Sequence, residues 1–142
     1  MFDTLIGFLS RNGSIGARIR EGKAARSSAL ASGSAAPPSP FLPTPHAVVS
    51  ELLRAARVGP WSTVLDIGCG DARVPLAAVR DFGAERGIGV ESLSDVYERA
   101  VANCDQTATL SQQQRQSVEL HCADFAKEQD KAVIEDCLDR QL

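Results

Sequence analysis

Residues 64–71 read VLDIGCGD, and this stretch decides the fold of the chain. The apolar residues on either side of Asp66 are typical of a buried strand. Gly68 and Gly70 then interrupt the apolar pattern, and the nearly continuous apolar content of residues 72–82 predicts a helix. Glycines between a strand and a helix allow unusual backbone angles and the close approach of a ligand. We therefore interpret the stretch as a strand, a ligand-binding turn and the start of a helix.

The rest of the chain repeats the alternation of strand and helix. After the first helix we predict, in order, a strand at 86–91 (RGIGVE), a helix capped by Ser92 or Ser94, a loop or frayed helix end at 105–116, a strand at 117–122 (SVELHC) and a weak helix at 126–141. Strands that alternate with helices favour a parallel sheet with right-handed crossovers. The predicted fold class is therefore α/β, with a Rossmann-like parallel sheet.

A further helix is predicted ahead of the first strand. Thr44 can cap this helix, and Pro45 suits its first position, where the missing N–H of proline costs nothing. Gly59 and Pro60 end it. The folded domain is accordingly expected to span residues 41–142.

Residues 1–40 differ from the rest of the chain in composition and charge. They carry five Lys/Arg against two Asp/Glu, whereas residues 41–142 carry ten against sixteen. Residues 27–40 (SSALASGSAAPPSP) predict a flexible linker. Ahead of it, apolar residues at helical spacing and then basic residues resemble an organelle transit peptide, and a disordered tail is the alternative. Both readings stay open, and with them a mitochondrial or a cytoplasmic location.

Composition excludes several classes of function. A chain of 142 residues with a net charge of −3 suits one modest domain and gives no direct signal for binding nucleic acid. No apolar run approaches the roughly 20 residues of a membrane span. The four cysteines are widely spaced, without a CxxC pair or a secretory signal, so free thiols are expected. His46 and His121 are isolated from any pair of cysteines, so no metal site is predicted.

Acidic residues mark the ends of the later strands. Glu91 ends the second strand of the alternation, 21 residues after Gly70, and Asp124 follows the third by two residues. Because parallel strands present their carboxyl ends at one edge, these acids are expected to meet there. Glu91 can accept hydrogen bonds from ribose hydroxyls and Asp124 from an adenine amino group. Asp66 would repel a pyrophosphate but suits a ligand with an ammonium and a sulfonium, so the pattern favours a cationic nucleoside.

Two other readings of the glycine turn fit less well. The dinucleotide pattern G-x-G-x-x-G requires a third glycine, and Arg73 stands at that position. No Walker sequence GxxxxGK[ST] is present. Cys69 is interpreted as a small loop residue rather than a nucleophile, because no base partner is apparent near it.

At this point the sequence resembles a known family. VLDIGCGDAR is similar to motif I, D-x-G-x-G, of the class I S-adenosylmethionine-dependent methyltransferases. GIGVE resembles the acidic end of their second strand, and HCADF resembles the region of the acid after their third. With PFLPTP ahead of the motif, the chain looks most like the ATP synthase c-subunit lysine methyltransferase group, over about residues 41–125. In that group the turn often reads DLGSGDGR, so Cys69 and Ala72 replace a serine and a glycine.

The resemblance implies a cofactor and a set of residues that hold it. The cofactor is S-adenosylmethionine, and the implied activity is methyl transfer to a protein lysine; the catalytic residues stay unassigned. The implied site residues are Asp66, Gly68 and Gly70 for the methionine moiety, Asp71 for support of the loop, Glu91 for the ribose, Asp124 for the adenine, and Thr44 and Pro45 beside the amino-acid end of the cofactor.

The predicted elements account for only part of that family's fold. They match the amino-terminal half of a seven-stranded class I methyltransferase, and no later strand or substrate motif follows. A three-stranded sheet would leave an apolar edge unpaired. The chain is therefore expected to be a fragment, a truncated product or a subunit that a partner chain completes. A non-catalytic binding module is the alternative function, and a dinucleotide-dependent oxidoreductase is a further one.

Overall fold

The computed structural model describes residues 5–10, 42–124 and 127–139. In chain order the elements are β1 (Leu5–Ser10), α1 (His46–Ala55), β2 (Ser62–Ile67), α2 (Arg73–Phe82), β3 (Arg86–Glu91), α3 (Ser94–Gln106), α4 (Gln112–Gln116), β4 (Val118–Cys122) and α5 (Glu128–Asp139). Of the helices within these ranges, none is long and apolar enough to cross a membrane.

The strands form one sheet in the order β1-β2-β3-β4. β2, β3 and β4 are parallel neighbours, as the alternation of strands and helices predicts. Ile67 pairs with Val90, and Glu91 pairs with Cys122, so these strands end side by side. We call this side of the sheet the carboxyl edge. The predicted α/β class with a Rossmann-like parallel sheet is confirmed.

The first strand corrects a prediction made from apolar spacing. Residues 5–10 have helical spacing, but they form β1, which runs antiparallel to β2 with Leu5 opposite Ile67 and Ser10 opposite Ser62. A three-stranded sheet was predicted to leave an apolar edge unpaired, and the edge formed by β2 is hydrogen-bonded to β1. Local periodicity cannot reveal a partner strand more than fifty residues away, which is why the spacing misled. The predicted linker and most of the leader lie outside the described residues.

One face of the sheet carries α1, α2 and α3. Gly87 lets α2 lie very close to β3, and Gly89 lets the turn before α2 do the same, because neither residue has a side chain. A Cβ atom on Gly87 would lie 2.5 Å from the carbonyl oxygen of Pro75, and one on Gly89 would lie 2.8 Å from Sγ of Cys69. The buried residues that join α1, α2 and β2 are Val49, Leu53, Val64, Val74, Ala77, Ala78 and Ala84. This close packing fixes where the turn between β2 and α2 can lie.

The opposite face of the sheet is packed against α5. Leu65, Ile88 and Val90 form a buried cluster there with Ala123 and Cys137. Within β2 the neighbouring residues Val64 and Leu65 thus point to opposite helix-covered faces, as expected for a doubly wound sheet.

Helix boundaries show where local signals succeed and where they fail. Pro75 lies in the first turn of α2, and Gly83 ends that helix in the left-handed conformation at φ 67°, as predicted. The predicted caps of α1 and α3 are wrong: Pro45 and Leu93 occupy those positions, and neither makes a side-chain capping bond. The predicted loop at 105–116 contains the end of α3 and the short helix α4.

Candidate functional site

The turn between β2 and α2 is held in a backbone shape that favours glycine. Gly68, Gly70 and Ala72 all have positive φ angles, of 82°, 58° and 62°. The backbone nitrogens of Gly68 and Cys69 donate to the carbonyl of Val90 at 2.7 and 3.1 Å, which fastens the turn to the end of β3. Ala72 keeps a left-handed conformation that costs an alanine about 1 kcal/mol. Its side chain is fully buried, so packing holds it there.

Asp66 is the buried acid at the base of this turn. It is 2% exposed, and among the described residues its Oδ1 atom has no hydrogen-bond partner. Burial, together with the charges of Glu91 and Asp71, raises the pKa of Asp66 to about 7. An unpartnered carboxyl oxygen in a buried turn is costly unless a donor or a cation meets it. The site therefore fits a ligand that brings a positively charged group to Asp66.

Glu91 connects the end of β3 to the glycine turn. Its Oε2 accepts a hydrogen bond from the nitrogen of Gly70 at 3.0 Å. Its Oε1 accepts from the nitrogens of Ser92 and Leu93 at 2.8 and 3.0 Å. Because a carboxylate offers about four acceptor positions, Oε2 retains capacity for one further donor. Glu91 thus braces the turn and can still bind a hydroxyl group.

Asp71 is engaged by Arg73. The Nε and NH2 atoms of Arg73 donate to the two carboxyl oxygens of Asp71 at 2.8 and 2.5 Å. Burial alone would raise the pKa of Asp71, but the hydrogen bonds and the charge of Arg73 outweigh it and hold this pKa below its usual value. The backbone carbonyl of Asp71 accepts from Nδ2 of Asn103 at 2.8 Å. Asp71 therefore supports the turn through protein contacts.

Asp124 stands at the neighbouring position along the carboxyl edge. The nitrogen of Ala123 donates to the carbonyl of Glu91 at 2.9 Å, which sets the chain after β4 beside the end of β3. The nitrogen of Asp124 donates to Oδ2 of Asp130 at 3.0 Å, and Nζ of Lys127 lies 3.9 Å from a carboxyl oxygen of Asp124. The side chain of Asp124 is about one-third exposed, at 34%.

The structure brings most of the predicted site residues together. Asp66, Gly68, Gly70, Asp71 and Glu91 form one cluster at the turn. Arg73 joins Thr44 to this cluster, because its NH1 atom donates to the Thr44 carbonyl at 2.6 Å. Pro45 follows Thr44 as the cap residue of α1, and Asp124 is linked through backbone contacts.

Arg73 and Asn103 are the members of this network that sequence reasoning missed. Arg73 was read only as a departure from the dinucleotide pattern. A contact between residues 29 positions apart, such as Arg73 with Thr44, leaves no signal in a single sequence. The same holds for Asn103, which reaches Asp71 from α3.

Cys69 lies inside the turn but does not suit nucleophilic chemistry. It is 5% exposed, and burial with the charges of Asp66 and Glu91 raises the pKa of its thiol far above neutral. A nucleophilic cysteine needs the thiolate form. Over the described ranges, no group of three or more His, Cys, Asp or Glu side chains is placed to hold a metal ion.

Comparison with known proteins gives partial likenesses. No family model matches the sequence. Over 69 residues the chain is 38% identical to a protein of Saccharolobus islandicus (strain REY15A) named protein-lysine N-methyltransferase, which covers 49% of this chain and 43% of the relative. The crystal structure of an RNA methyltransferase from Salinibacter ruber in complex with S-adenosyl-L-homocysteine aligns with a TM-score of 0.53 at 31% identity, over 61% of this chain and 52% of that one. YjhP from E. coli aligns at 22% identity with a TM-score of 0.47, over 56% and 31% of the two chains.

The likeness to the Salinibacter structure agrees with the α/β fold. The acids and glycines lie where the parallel strands of a Rossmann-like sheet end, which is the usual ligand position in such folds. The resemblance to the class I S-adenosylmethionine-dependent methyltransferases is confirmed. The chain spans about half the length of the first two proteins it matches, at 43% and 52%. The finer likeness, to the ATP synthase c-subunit lysine methyltransferase group, rests on the sequence motifs and stays a prediction.

Proposed function

We propose that this chain is the S-adenosylmethionine-binding part of a methyltransferase that acts on a protein lysine. The observation that carries the proposal is the buried Asp66 with its unpartnered Oδ1 atom at the base of the glycine turn. A cationic amino-acid group suits such a site, whereas a phosphate would add charge beside three carboxylates, those of Asp66, Asp71 and Glu91. Arg73 offsets only one of these charges, since its guanidinium is bound to Asp71 and to the Thr44 carbonyl.

We infer that residues along the carboxyl edge would contact successive parts of this cofactor. Asp66 would pair with the ammonium of the methionine moiety, and Gly68 and Gly70 leave room for its close approach. Glu91 would accept a hydrogen bond from a ribose hydroxyl through its spare capacity at Oε2. Asp124, one strand further along, would accept from the adenine amino group. Thr44 and Pro45 would stand beside the amino-acid end, on the side that Arg73 ties to the turn.

The bound cofactor would supply an electrophilic methyl group on a sulfonium. The chain's own contribution is to hold that cofactor in one orientation and to keep water from Asp66. Alignment of the reacting groups provides much of the acceleration in reactions of this type. The acceptor amine, with an ordinary pKa of about 10.4, must lose a proton before it can attack. None of the described residues is assigned to remove that proton.

The choice of acceptor rests on two observations. The Saccharolobus relative is named a protein-lysine N-methyltransferase. The net charge of −3 gives RNA no electrostatic attraction to the chain as a whole. The Salinibacter protein is an RNA methyltransferase. Experiments on the acceptor must therefore distinguish a protein lysine from RNA.

Calorimetric titration with S-adenosylmethionine and S-adenosylhomocysteine tests the cofactor. We expect saturable binding that Glu91→Ala and Gly68→Val each weaken at least about tenfold, a loss of about 1.4 kcal/mol. Glu98→Ala, at an exposed site on α3, is the matched control and should bind as wild type does. A folded wild-type protein that gives neither heat nor a thermal shift would refute the proposal. Tighter binding of NAD would favour an oxidoreductase instead.

Methyl transfer is tested separately from binding. Incubation with cofactor carrying a radioactive methyl group, and with mixed protein or mixed RNA, identifies the class of acceptor. Methyl-lysine in hydrolysed protein supports a lysine acceptor, and label in RNA contradicts it. Binding without any transfer favours the alternative of a non-catalytic module.

A further inference from the structure

One side chain joins the glycine turn to the segment that precedes α1. We call residues 42–45 the strap. Arg73, the first residue of α2, donates to both carboxyl oxygens of Asp71 and to the backbone carbonyl of Thr44, at 2.8, 2.5 and 2.6 Å. Three separate nitrogen atoms of one guanidinium are used. A planar fork can satisfy this arrangement, whereas the single ammonium of a lysine cannot reach all three acceptors in the same way.

This contact is largely shielded from solvent. The side chains of Arg73 and Asp71 are 17% and 21% exposed, whereas the pair of Arg54 and Glu51 on α1 is 63% and 75% exposed. Exposed pairs contribute little because water and salt screen them. Loss of the Arg73 side chain would leave the Thr44 carbonyl without this donor and the Asp71 carboxylate without its two guanidinium donors, while the backbone nitrogen of Arg73 still donates to Asp71 at 3.3 Å. The contact therefore constrains the strap.

The strap has few other attachments. Leu42 is 58% exposed, and Pro43 and Pro45 are exposed as well. The carbonyl of Pro45 accepts from Val48 and Val49, but these bonds lie within the first turn of α1. Within the described part of the chain, the bond from Arg73 is the only hydrogen bond between the strap and the turn. The position of Thr44 relative to the turn is therefore set by this guanidinium together with the packing of α1 against α2 through Val49 and Leu53.

We propose that Arg73 is a positioning residue, which latches the strap against the glycine turn and so makes Thr44 and Pro45 one wall of the cofactor site. This inference rests on the proposed function for the ligand, but the latch itself is a property of the protein alone. It also gives a reason for an arginine at the position where the dinucleotide pattern has a glycine. The side chain adds a bridge from the start of α2 to a second segment, while Gly87 allows the close approach of α2 to β3.

The test uses Arg73→Ala and Arg73→Lys in the full chain, with Arg80→Ala as the matched control. Arg80 lies near the other end of α2 and makes a similar forked pair with Asp81, at 2.6 Å for both bonds, but donates no hydrogen bond to the strap or to the turn. Because Pro43 and Pro45 carry no amide hydrogen, hydrogen exchange of the peptide covering residues 42–50 reports on the latch mainly through Thr44 and the first turn of α1, where the nitrogens of Val48 and Val49 donate to the Pro45 carbonyl. This measurement needs no ligand. Residues 51–55, in the same helix, are the internal reference.

Both Arg73 variants are expected to exchange at least about fivefold faster over residues 42–50, with little change over 51–55. They should also bind S-adenosylhomocysteine at least about tenfold more weakly, whereas Arg80→Ala stays within about twofold of wild type. Arg73→Lys keeps the positive charge and is therefore the variant more certain to fold. Its melting temperature, compared with that of wild type, shows whether it does.

Exchange at the wild-type rate in a folded Arg73→Lys variant would overturn the latch. Faster exchange with unchanged affinity would overturn the role of the strap as a wall of the site. If wild type itself binds no S-adenosylhomocysteine, the proposed function fails. In that case the exchange data alone decide on the latch. Faster exchange over residues 42–50 in both Arg73 variants supports it, and unchanged exchange contradicts it.

Discussion

The carboxylate of Glu91 accepts a hydrogen bond from the backbone nitrogen of Gly70 at 3.0 Å, 21 positions away in the chain. This single contact joins the end of one parallel strand to the turn that follows its neighbour. Two further backbone nitrogens, of Ser92 and Leu93, donate to the same carboxylate. The acid that the motifs assign to the ribose is thus also a structural brace, so changes at Glu91 should affect stability before any ligand is added.

We expect Glu91→Gln to destabilise the free protein by about 1–3 kcal/mol. A glutamine keeps one acceptor oxygen but turns an amide donor toward backbone N–H groups that now lose their partner. Urea unfolding followed by circular dichroism measures the change. Glu98→Gln, at an exposed site, should leave the midpoint unaltered. Equal midpoints for both variants would show that the brace contributes nothing.

The raised pKa of Asp66 predicts an unusual dependence of stability on pH. The unfolded chain loses this proton near its ordinary pKa of 3.8, whereas the folded chain holds it up to about 7. The contribution of Asp66 to the free energy of unfolding is therefore greatest below about pH 4. It falls as the pH rises to about 7 and levels off above that pH. The total change is on the order of 4 kcal/mol.

Asp66→Asn isolates that contribution. The variant should be more stable than wild type at about pH 8, and the difference should shrink toward about pH 4. Paired urea titrations at several pH values measure it, because other titrating groups cancel in the comparison. A constant difference across this range would contradict the buried, protonated Asp66.

Cofactor binding should release a proton in mildly acidic solution. Asp66 must ionise to pair with an ammonium group, so binding at about pH 6 should release its proton. Near about pH 8 most Asp66 side chains have already lost this proton, so binding should release little. Calorimetry in two buffers with different ionisation enthalpies counts the protons. Asp124→Asn is the control that should retain the release. The prediction fails if wild type binds at about pH 6 without any dependence on the buffer.

The close contact of α2 with β3 predicts a strong effect at Gly87. Gly87→Ala would place a methyl 2.5 Å from the carbonyl oxygen of Pro75, a backbone atom that cannot rotate away. We expect a loss of about 2–4 kcal/mol in urea unfolding, since overpacking here must move a helix. Gly59→Ala has open space around its Cβ and should be neutral or slightly stabilising. Similar losses for the two variants would argue against the close approach.

The cysteines should differ sharply in reactivity. Cys122 is exposed, whereas Cys69 and Cys137 are buried, and the pKa of the Cys69 thiol is raised far above neutral. With iodoacetamide at about pH 8, labelling of the folded protein should reach Cys122 first and leave Cys69 unmodified. Peptide mass spectrometry locates the label, and labelling in urea is the positive control. Early modification of Cys69 would show that the turn opens.

Sequence reasoning succeeded where the signal is local and physical. Apolar content predicts the strand at residues 62–67 and the helix that follows it. The two glycines predict the turn between them, where both have positive φ angles. The meeting of Asp66 and Glu91 follows from the geometry of parallel strands.

It failed where a partner lies far along the chain. The strand at residues 5–10 forms because β2 offers it an edge, which apolar spacing does not reveal. The caps of α1 and α3 were misjudged because Thr44 and the serines near α3 make no capping bonds with their side chains. One local signal was overlooked: Ser111 and Gln114 form a capping box at α4.

The direction of β1 has a practical consequence. Because Leu5 lies opposite Ile67, the backbone enters this strand from the side of the sheet where β2, β3 and β4 end. The backbone of Leu5 therefore lies at the carboxyl edge, next to the end of the strand that carries Asp66. Affinities for the cofactor should consequently be compared for protein with and without an amino-terminal tag.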